Sequence, residues 1–237
     1  MLKYLVKKIL KSEVEYKNII YNSKGNKITF INPYSYHLVR KNTNLYEKFD
    51  GIFIDGFLMC VFIKLFYNKK ISRRSFDMTT VAKDLFSNVE KNGKNIFLVG
   101  AKWEEIKSMV KNIYILYPNI NIVGYRSGFF NSEDEYDNCI NKILSLNPDY
   151  VIVGMGAILQ EKFLVDLSDG GFLGTGFTCG GYIRQASAGL TYFPYWSNKY
   201  NLRWLYRLYK EKGVFKRLYN VLLEFPLLFL WDYIKEK

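Results

Sequence analysis

Five consecutive segments near the middle of the chain constrain its fold more than anything else in it. Lys94-Asn-Ile-Phe-Leu-Val-Gly100 is an apolar run that stops at a glycine. Lys102 to Tyr117 has helical spacing, and Asn121-Ile-Val-Gly-Tyr125 is a second run. Ser132 to Leu146 is a second helix, and Asp149 to Gly154 a third run. Ser132 stands where a helix N-cap belongs, with acids in the turn behind it. Strand, helix, strand, helix, strand predicts a parallel sheet with right-handed crossovers. The expected class is α/β, with a Rossmann-like parallel-sheet core.

The flanks extend the pattern. Residues 1 to 24 read as a basic lead-in. Lys27 to Asn32 reads as a strand that stops at Asn32-Pro33, and Tyr34 to Lys48 as a helix. Phe49 to Ile54 is a short strand ending at Asp55-Gly56. Phe57 to Tyr67 is apolar nearly all round, which predicts a buried helix. Asp77 to Asn92 is a further helix with Asp77 as a candidate N-cap. Gly170 to Gly181 is glycine-rich and encloses a strand around Phe172 to Phe177. From Lys199 the character changes. Asn201 to Lys210 is a helix with Arg203, Arg207 and Lys210 on one face, and Glu211 is the only acid between Lys199 and Arg217. The expected division is a core over residues 1–195 and a basic, aromatic helical appendage over 196–237.

Composition narrows the partners. The net charge of +12 points to anionic ones: phosphates, nucleic acid or an acidic membrane surface. Cys60, Cys139 and Cys179 have no C-x-x-C or zinc spacing, which fits a reducing compartment. Met1 to Leu10 lacks the continuous apolar stretch and cleavage site of a signal peptide. No apolar run reaches the roughly 20 residues needed to span a bilayer.

The chemistry is expected where strands end, because in a parallel sheet those ends share one edge. Asn32, Asp55, the Gly100 turn, Tyr125 to Phe130, and Gly154 to Gln160 all follow strands. Asp55 could take a proton from a hydroxyl nucleophile. Asp55-Gly56 also reads as a plain turn, and locally that is the stronger reading. Neither Gly100 nor Gly154-x-Gly156 completes a dinucleotide fingerprint, and there is no P-loop or D-x-D. His37 is the only histidine, which disfavours a histidine metal site or a Ser-His-Asp triad. The arginines of the appendage could bind diphosphate. Its aromatics could settle at a membrane interface or simply pack on the core, and these two readings are even. No nucleic-acid module is present, so nucleic acid is the weaker partner.

Several segments, taken in order, carry a resemblance. They are Phe30-Ile-Asn-Pro33, Phe53-Ile-Asp-Gly56, Arg73-Arg-Ser-Phe-Asp77, and Tyr117-Pro118 with Ile122-Val-Gly-Tyr125 and Gly128-Phe-Phe130. Pro148-Asp149, Val153-Gly-Met-Gly156 with Gln160-Glu161, and Leu202-Arg-Trp-Leu-Tyr-Arg207 with Lys216-Arg217 follow. Together they resemble the WecG/TagA/CpsF family of bacterial glycosyltransferases, from about Phe30 to Tyr219. The chain departs from the pattern at Ala157-Ile158, at Thr178 to Ile183, at Tyr192 to Trp196 and at Arg203. Those departures imply a branch with a different sugar or acceptor.

The resemblance implies an inverting, metal-independent and cofactor-free transfer from a UDP-sugar donor to an undecaprenyl-diphosphate-linked saccharide. It implies a peripheral enzyme on the cytoplasmic face of the cell membrane, and it is compatible with a homo-oligomer. By the match, Asp55 is the general base. Asn32 and Gln160 hold the sugar or nucleotide, and Arg74 and Asp77 shape the acceptor side. Arg203, Arg207 and Arg217 neutralise diphosphate. The alternative is a non-catalytic nucleotide-sugar or anionic-lipid binding protein on the same fold.

Overall fold

The computed structural model describes residues 1–21, 25–200, 202–210 and 219–236. Its centre is a six-stranded, wholly parallel sheet in the order β2-β1-β6-β5-β3-β4. The strands are β1 (Lys27–Ile31), β2 (Gly51–Ile54), β3 (Asn95–Gly100), β4 (Asn121–Arg126), β5 (Tyr150–Gly154) and β6 (Thr175–Thr178). Every residue of β2, β5 and β6 is buried. Burial on both faces is why β2 and β5 read as continuous apolar runs rather than alternating ones.

Helices cover both faces. On one face lie α1 (Leu2–Val14), α3 (Tyr36–Lys41), α4 (Thr43–Glu47), α5 (Phe57–Tyr67), α8 (Glu133–Leu146), α9 (Leu159–Asp169) and the C-terminal helix (Phe225–Lys235). On the other lie α2 (Tyr16–Tyr21), α6 (Val81–Lys91), α7 (Trp103–Leu116) and α10 (Tyr182–Ser187). Connections running toward β2 pass over the first face, and those running toward β4 reach the next strand over the second. That division gives all crossovers one hand. Ser132 caps α8 through the Glu135 backbone N–H at 3.2 Å, as its position in the sequence predicts.

Four local expectations are corrected. The basic lead-in is a core helix: Leu2, Leu5, Val6 and Ile9 of α1 are buried at helical spacing while its lysines face out. The stretch from Tyr34 to Lys48 is two short helices broken at Asn42. Asp77 does not cap α6, whose N-cap is Thr80. Helix α5 is not buried all round, since Phe57, Val61 and Leu65 are exposed.

The two ends of the chain are tied to this core. Glu236 accepts from the N-terminal ammonium and from the backbone N–H groups of Leu2 and Lys3, each at 2.6 Å. Asp232 accepts two bonds from Arg40 and one from the Tyr36 hydroxyl. Phe225 and Phe229 of the same helix pack against Tyr36 and Phe62.

Candidate functional site

The carboxyl ends of the strands form one open edge. Its centre is the β3–β5 junction, where β3 leaves toward β4 through α7 and β5 leaves toward β6 through α9. Adjacent strands departing in opposite directions leave a crevice between them. Gly100 and Gly154 face each other there. Gly100 has φ +150°, and a Cβ on it would lie 2.4 Å from the Gly154 carbonyl oxygen. Only glycine fits there, because Ile183 and Cys179 pack close against the two backbones. The N-termini of α7 and α9 both begin at this crevice, and their unpaired N–H groups favour an anion.

The loop into α9 is strained. Ile158 has φ +75°, a left-handed conformation that a β-branched residue rarely takes. Glu161 holds it, because Glu161 Oε2 accepts the Ile158 backbone N–H at 2.6 Å. Its other oxygen accepts from the Thr29 hydroxyl at 2.8 Å and the Gln160 amide at 3.0 Å. Gln160 Oε1 accepts the Gly180 backbone N–H at 3.0 Å. Thr29 also bonds Thr178 at 3.0 Å. Both ends of the Gln160 amide therefore hold protein, fixing the loop after β6 to the start of α9. Burial pushes the Glu161 carboxyl above its ordinary pKa, against the hydrogen bonds it receives.

The β1–β2 end carries the charges. Asp55 follows β2, and its N–H donates to the Ile31 carbonyl at 2.8 Å, which continues the ladder one residue past the strand. Gly56 must be glycine here, since a Cβ would come within 2.6 Å of Pro33. The Asp55 carboxylate is one-third exposed and lies 3.8 Å from Arg73. No described residue donates a hydrogen bond to it. Asn32, at the end of β1, accepts the Ser35 N–H through Oδ1 at 2.9 Å and leaves its amide nitrogen without a partner among the described residues.

The two neighbouring arginines divide. Arg74, the expected site residue, turns away to a bidentate bond with Glu13 at 2.9 and 3.0 Å and stacks on Tyr16. Arg73 takes the place beside Asp55, and its Nη2 donates to Thr79 Oγ1 at 3.3 Å. Nothing in the local sequence separates the two, because adjacent side chains differ only in direction. Asp77 is buried and accepts from Arg203 at 2.5 Å, from Ser75 and from Thr79. Burial alone would raise its pKa, but Arg203 and the hydroxyls outweigh burial and hold it below the ordinary carboxylate value. Arg203 also donates to Thr79 at 2.7 Å and lies over the Phe193 ring. It thereby joins α11 (Arg203–Lys210) to the 75–79 turn. The Arg207 side chain and all of Arg217 lie outside the described residues.

Among the described residues no three His, Cys, Asp or Glu side chains gather as a metal site. Cys60, Cys139 and Cys179 are buried thiols. His37 Nδ1 lies 2.9 Å from the Tyr34 carbonyl oxygen.

The glycosyl transferase WecG/TagA/CpsF family matches residues 8–237. A Shigella boydii UDP-Gal:alpha-D-GlcNAc-diphosphoundecaprenol beta-1,4-galactosyltransferase is 35% identical over 192 residues, 81% of this chain and 80% of its own length. A Bacillus subtilis N-acetylglucosaminyldiphosphoundecaprenol N-acetyl-beta-D-mannosaminyltransferase is 30% identical over 218 residues, 90% of this chain and 83% of that protein.

Proposed function

The chain belongs to the WecG/TagA/CpsF family and is a glycosyltransferase, and from that premise we propose which reaction its edge performs. It moves one hexose or N-acetylhexosamine from a UDP-sugar onto a saccharide linked to undecaprenyl diphosphate, with inversion and without a metal. The acceptor class is the one both relatives name. The observation that carries the reading is the Asp55 carboxylate: accessible, bonded by no described donor, and flanked by Arg73 at the sheet's open edge.

In this reading the acceptor hydroxyl loses its proton to Asp55 as its oxygen attacks the anomeric carbon. The bond from that carbon to the UDP oxygen breaks on the opposite face, and configuration inverts. Charge develops on the leaving diphosphate. The N-termini of α7 and α9 support the placing of that diphosphate in the crevice. Fixed dipoles act best where charge appears in the transition state. Arg73, and Arg207 and Arg217 of the appendage, supply the cationic charge that a metal would otherwise bring.

A lipid-linked acceptor requires a bilayer. No helix among the described residues is long and apolar enough to cross one. Two adjacent helices instead carry apolar residues outward. These are Phe57, Val61 and Leu65 on α5, and Leu227, Trp231 and Ile234 on the C-terminal helix. Lys64, Lys69 and Lys70 stand exposed beside them. This pattern supports peripheral seating on an anionic, cytoplasmic leaflet.

The test is UDP release by the purified full chain across a panel of UDP-sugars, with and without a short-chain lipid diphosphate bearing GlcNAc. Acceptor-dependent release with one donor is expected. Tight UDP binding with no turnover on any such acceptor would overturn the enzymatic reading in favour of a binding protein.

A further inference from the structure

We propose that α5 sets Asp55 at the depth of the lipid headgroups, so that transfer takes place on an acceptor still embedded in the bilayer. The inference rests on the reaction and the peripheral seating proposed above, and it gives one helix the task of joining them. The partner is an anionic leaflet that carries the lipid-linked acceptor.

Helix α5 is held by the core and by the C-terminal helix, and it is bare on its remaining face. Met59, Cys60 and Ile63 are buried. Phe62, Phe66 and Tyr67 pack on Phe225, Phe229 and Tyr233 of the C-terminal helix. Phe57, Val61 and Leu65 stand 53%, 38% and 72% exposed. Their spacing, i, i+4 and i+8, puts them on one face. Lys64 is exposed on that same face, and Lys69 and Lys70 are exposed just past the helix end. No acid occurs from Phe57 to Phe76. An apolar stripe that closes in lysines matches an anionic bilayer surface. Apolar side chains enter the acyl boundary while ammonium groups meet lipid phosphates.

The base and this stripe are one rigid piece. Asp55 and Phe57 are two residues apart, so their Cα atoms lie within about 7 Å of each other. Gly56 stands between them, pressed against Pro33. The Asp55 N–H is tied to the Ile31 carbonyl at 2.8 Å, and the Gly56 carbonyl accepts from the Cys60 N–H of α5 at 3.4 Å. An interfacial helix lies about 5–10 Å into the boundary between headgroups and acyl chains. A carboxylate beside the first exposed residue of such a helix therefore stands in the headgroup layer. The diphosphate of the acceptor stands in that layer too, and its sugar is the next group outward. Asp55 meets the acceptor hydroxyl there without drawing the polyprenyl chain into water, which would forfeit the burial of its methylenes. The C-terminal helix adds apolar area, but no strand end is joined to it by so short a segment.

The experiment uses the full chain with a C-terminal histidine tag, held on vesicles of phosphatidylcholine, phosphatidylglycerol and a nickel-chelating lipid. Tethering equalises the amount of bound enzyme among variants, which sedimentation checks. Initial rates are measured on a long-chain polyprenyl diphosphate bearing GlcNAc, embedded in the vesicles, and on a short-chain, water-soluble counterpart. Val61→Asp with Leu65→Asp should lower the ratio of embedded to soluble rate by about tenfold or more, since two carboxylates then face the acyl boundary. Leu65→Asp alone changes the most exposed position of the stripe and leaves the core intact; it should lower the ratio by about threefold or more. Phe57 stays in place because it adjoins the base. Ratios within about twofold of the unaltered chain's in both variants would overturn the role of α5, because the stripe would then supply affinity alone. Failure of the untethered, unaltered chain to sediment with the vesicles would overturn the seating, and this inference with it. Failure to transfer to either acceptor would instead overturn the reaction on which both rest. Rate ratio, sedimentation and transfer are separate measurements, so the three failures are told apart.

Discussion

Replacing Glu161 by glutamine tests whether the edge is held by an ionised carboxylate. Three donors converge on that side chain: the Ile158 N–H, the Thr29 hydroxyl and the Gln160 amide. A glutamine can satisfy only part of this set. With its oxygen toward Thr29 and Gln160, its NH2 meets the Ile158 N–H head on. In the flipped orientation the Thr29 hydroxyl can turn to Thr178 and accept, but the Gln160 amide loses its acceptor. Gln160 cannot flip in response without releasing Gly180. Either way one buried donor is orphaned, at about 1–3 kcal/mol, and the charge assistance of the remaining bonds is lost. Relief from burying a charge offsets part of this. The net expectation for Glu161→Gln is a loss of about 2 kcal/mol at pH 7.5, read from urea midpoints at unchanged m. The pH dependence has a definite sign. Burial raises the native pKa of Glu161, so the folded state holds that proton more tightly than the unfolded chain. Stability from this source is complete below about pH 4.3, the unfolded value, and is lost as pH rises through the native pKa. The unaltered chain should therefore lose ground to the variant as pH rises above about 4.3, while staying the more stable. A variant at least as stable as the parent at pH 7.5 would refute the assignment of three donors to a carboxylate acceptor.

Three further outcomes are expected. Asp55→Asn should lower kcat for sugar transfer by about a hundred- to ten-thousandfold while leaving UDP affinity, read by calorimetry, within twofold; an unchanged rate removes Asp55 as base. Asp77→Asn should cost about 3–5 kcal/mol, because it leaves Arg203 charged and unpaired in a buried position. The native pKa of Asp77 is depressed, so its contribution is present above about pH 3.9 and lost as pH falls through the native value; acid titrations of parent and variant should converge there. Leu227→Asp with Trp231→Asp should weaken sedimentation with phosphatidylglycerol-containing vesicles at least tenfold, and undiminished binding would place the membrane face elsewhere.

The sheet was legible because strands buried on both faces cannot hide. Phe97 to Val99 and Val151 to Val153 are apolar at every position, and the glycines that end them mark the edge. Ser132 was legible because a cap needs only its own hydroxyl and the next turn. Helix α5 was misread because an outward apolar stripe and a buried one look alike in sequence. Phe57, Val61 and Leu65 give the same letters whether they meet core or lipid. The burial of the lead-in was not legible because its lysines alternate with Leu2, Leu5, Val6 and Ile9, and a short amphipathic helix reads alike whether its apolar face meets core or solvent. At the edge, strand ends put Asn32 and Asp55 on one rim of the sheet, and the pairing of β1 with β2 brings them side by side. The choice between Arg73 and Arg74 was not legible. It depends on Glu13 and Tyr16, some sixty residues earlier, which capture one of the two. Nor was the role of Glu161, since an acid in the first turn of a helix reads alike as a cap or as a ligand contact.

The two halves of the edge are built from different materials, and that difference bears on mechanism. At the β3–β5 crevice the groups are backbone: two helix N-termini and a turn locked by Glu161. Such dipoles cannot move or titrate, which suits a diphosphate that every UDP-sugar shares. At the β1–β2 end the groups are side chains: Asp55, Arg73, the amide of Asn32 and the Asp77–Arg203 pair. Side chains can be exchanged singly without disturbing the sheet. Under the proposed reaction this half handles the acceptor hydroxyl. Substitution at this half of the edge would then retune the acceptor without touching donor binding. The relatives differ in the sugar they transfer yet share the same GlcNAc-bearing lipid. If this chain's departures at Tyr182 and Phe193 alter the acceptor, its preferred lipid-linked sugar should differ from theirs. Ranking several lipid-diphosphate saccharides by kcat/KM settles that: a strict preference for terminal GlcNAc would show that those departures leave acceptor choice untouched.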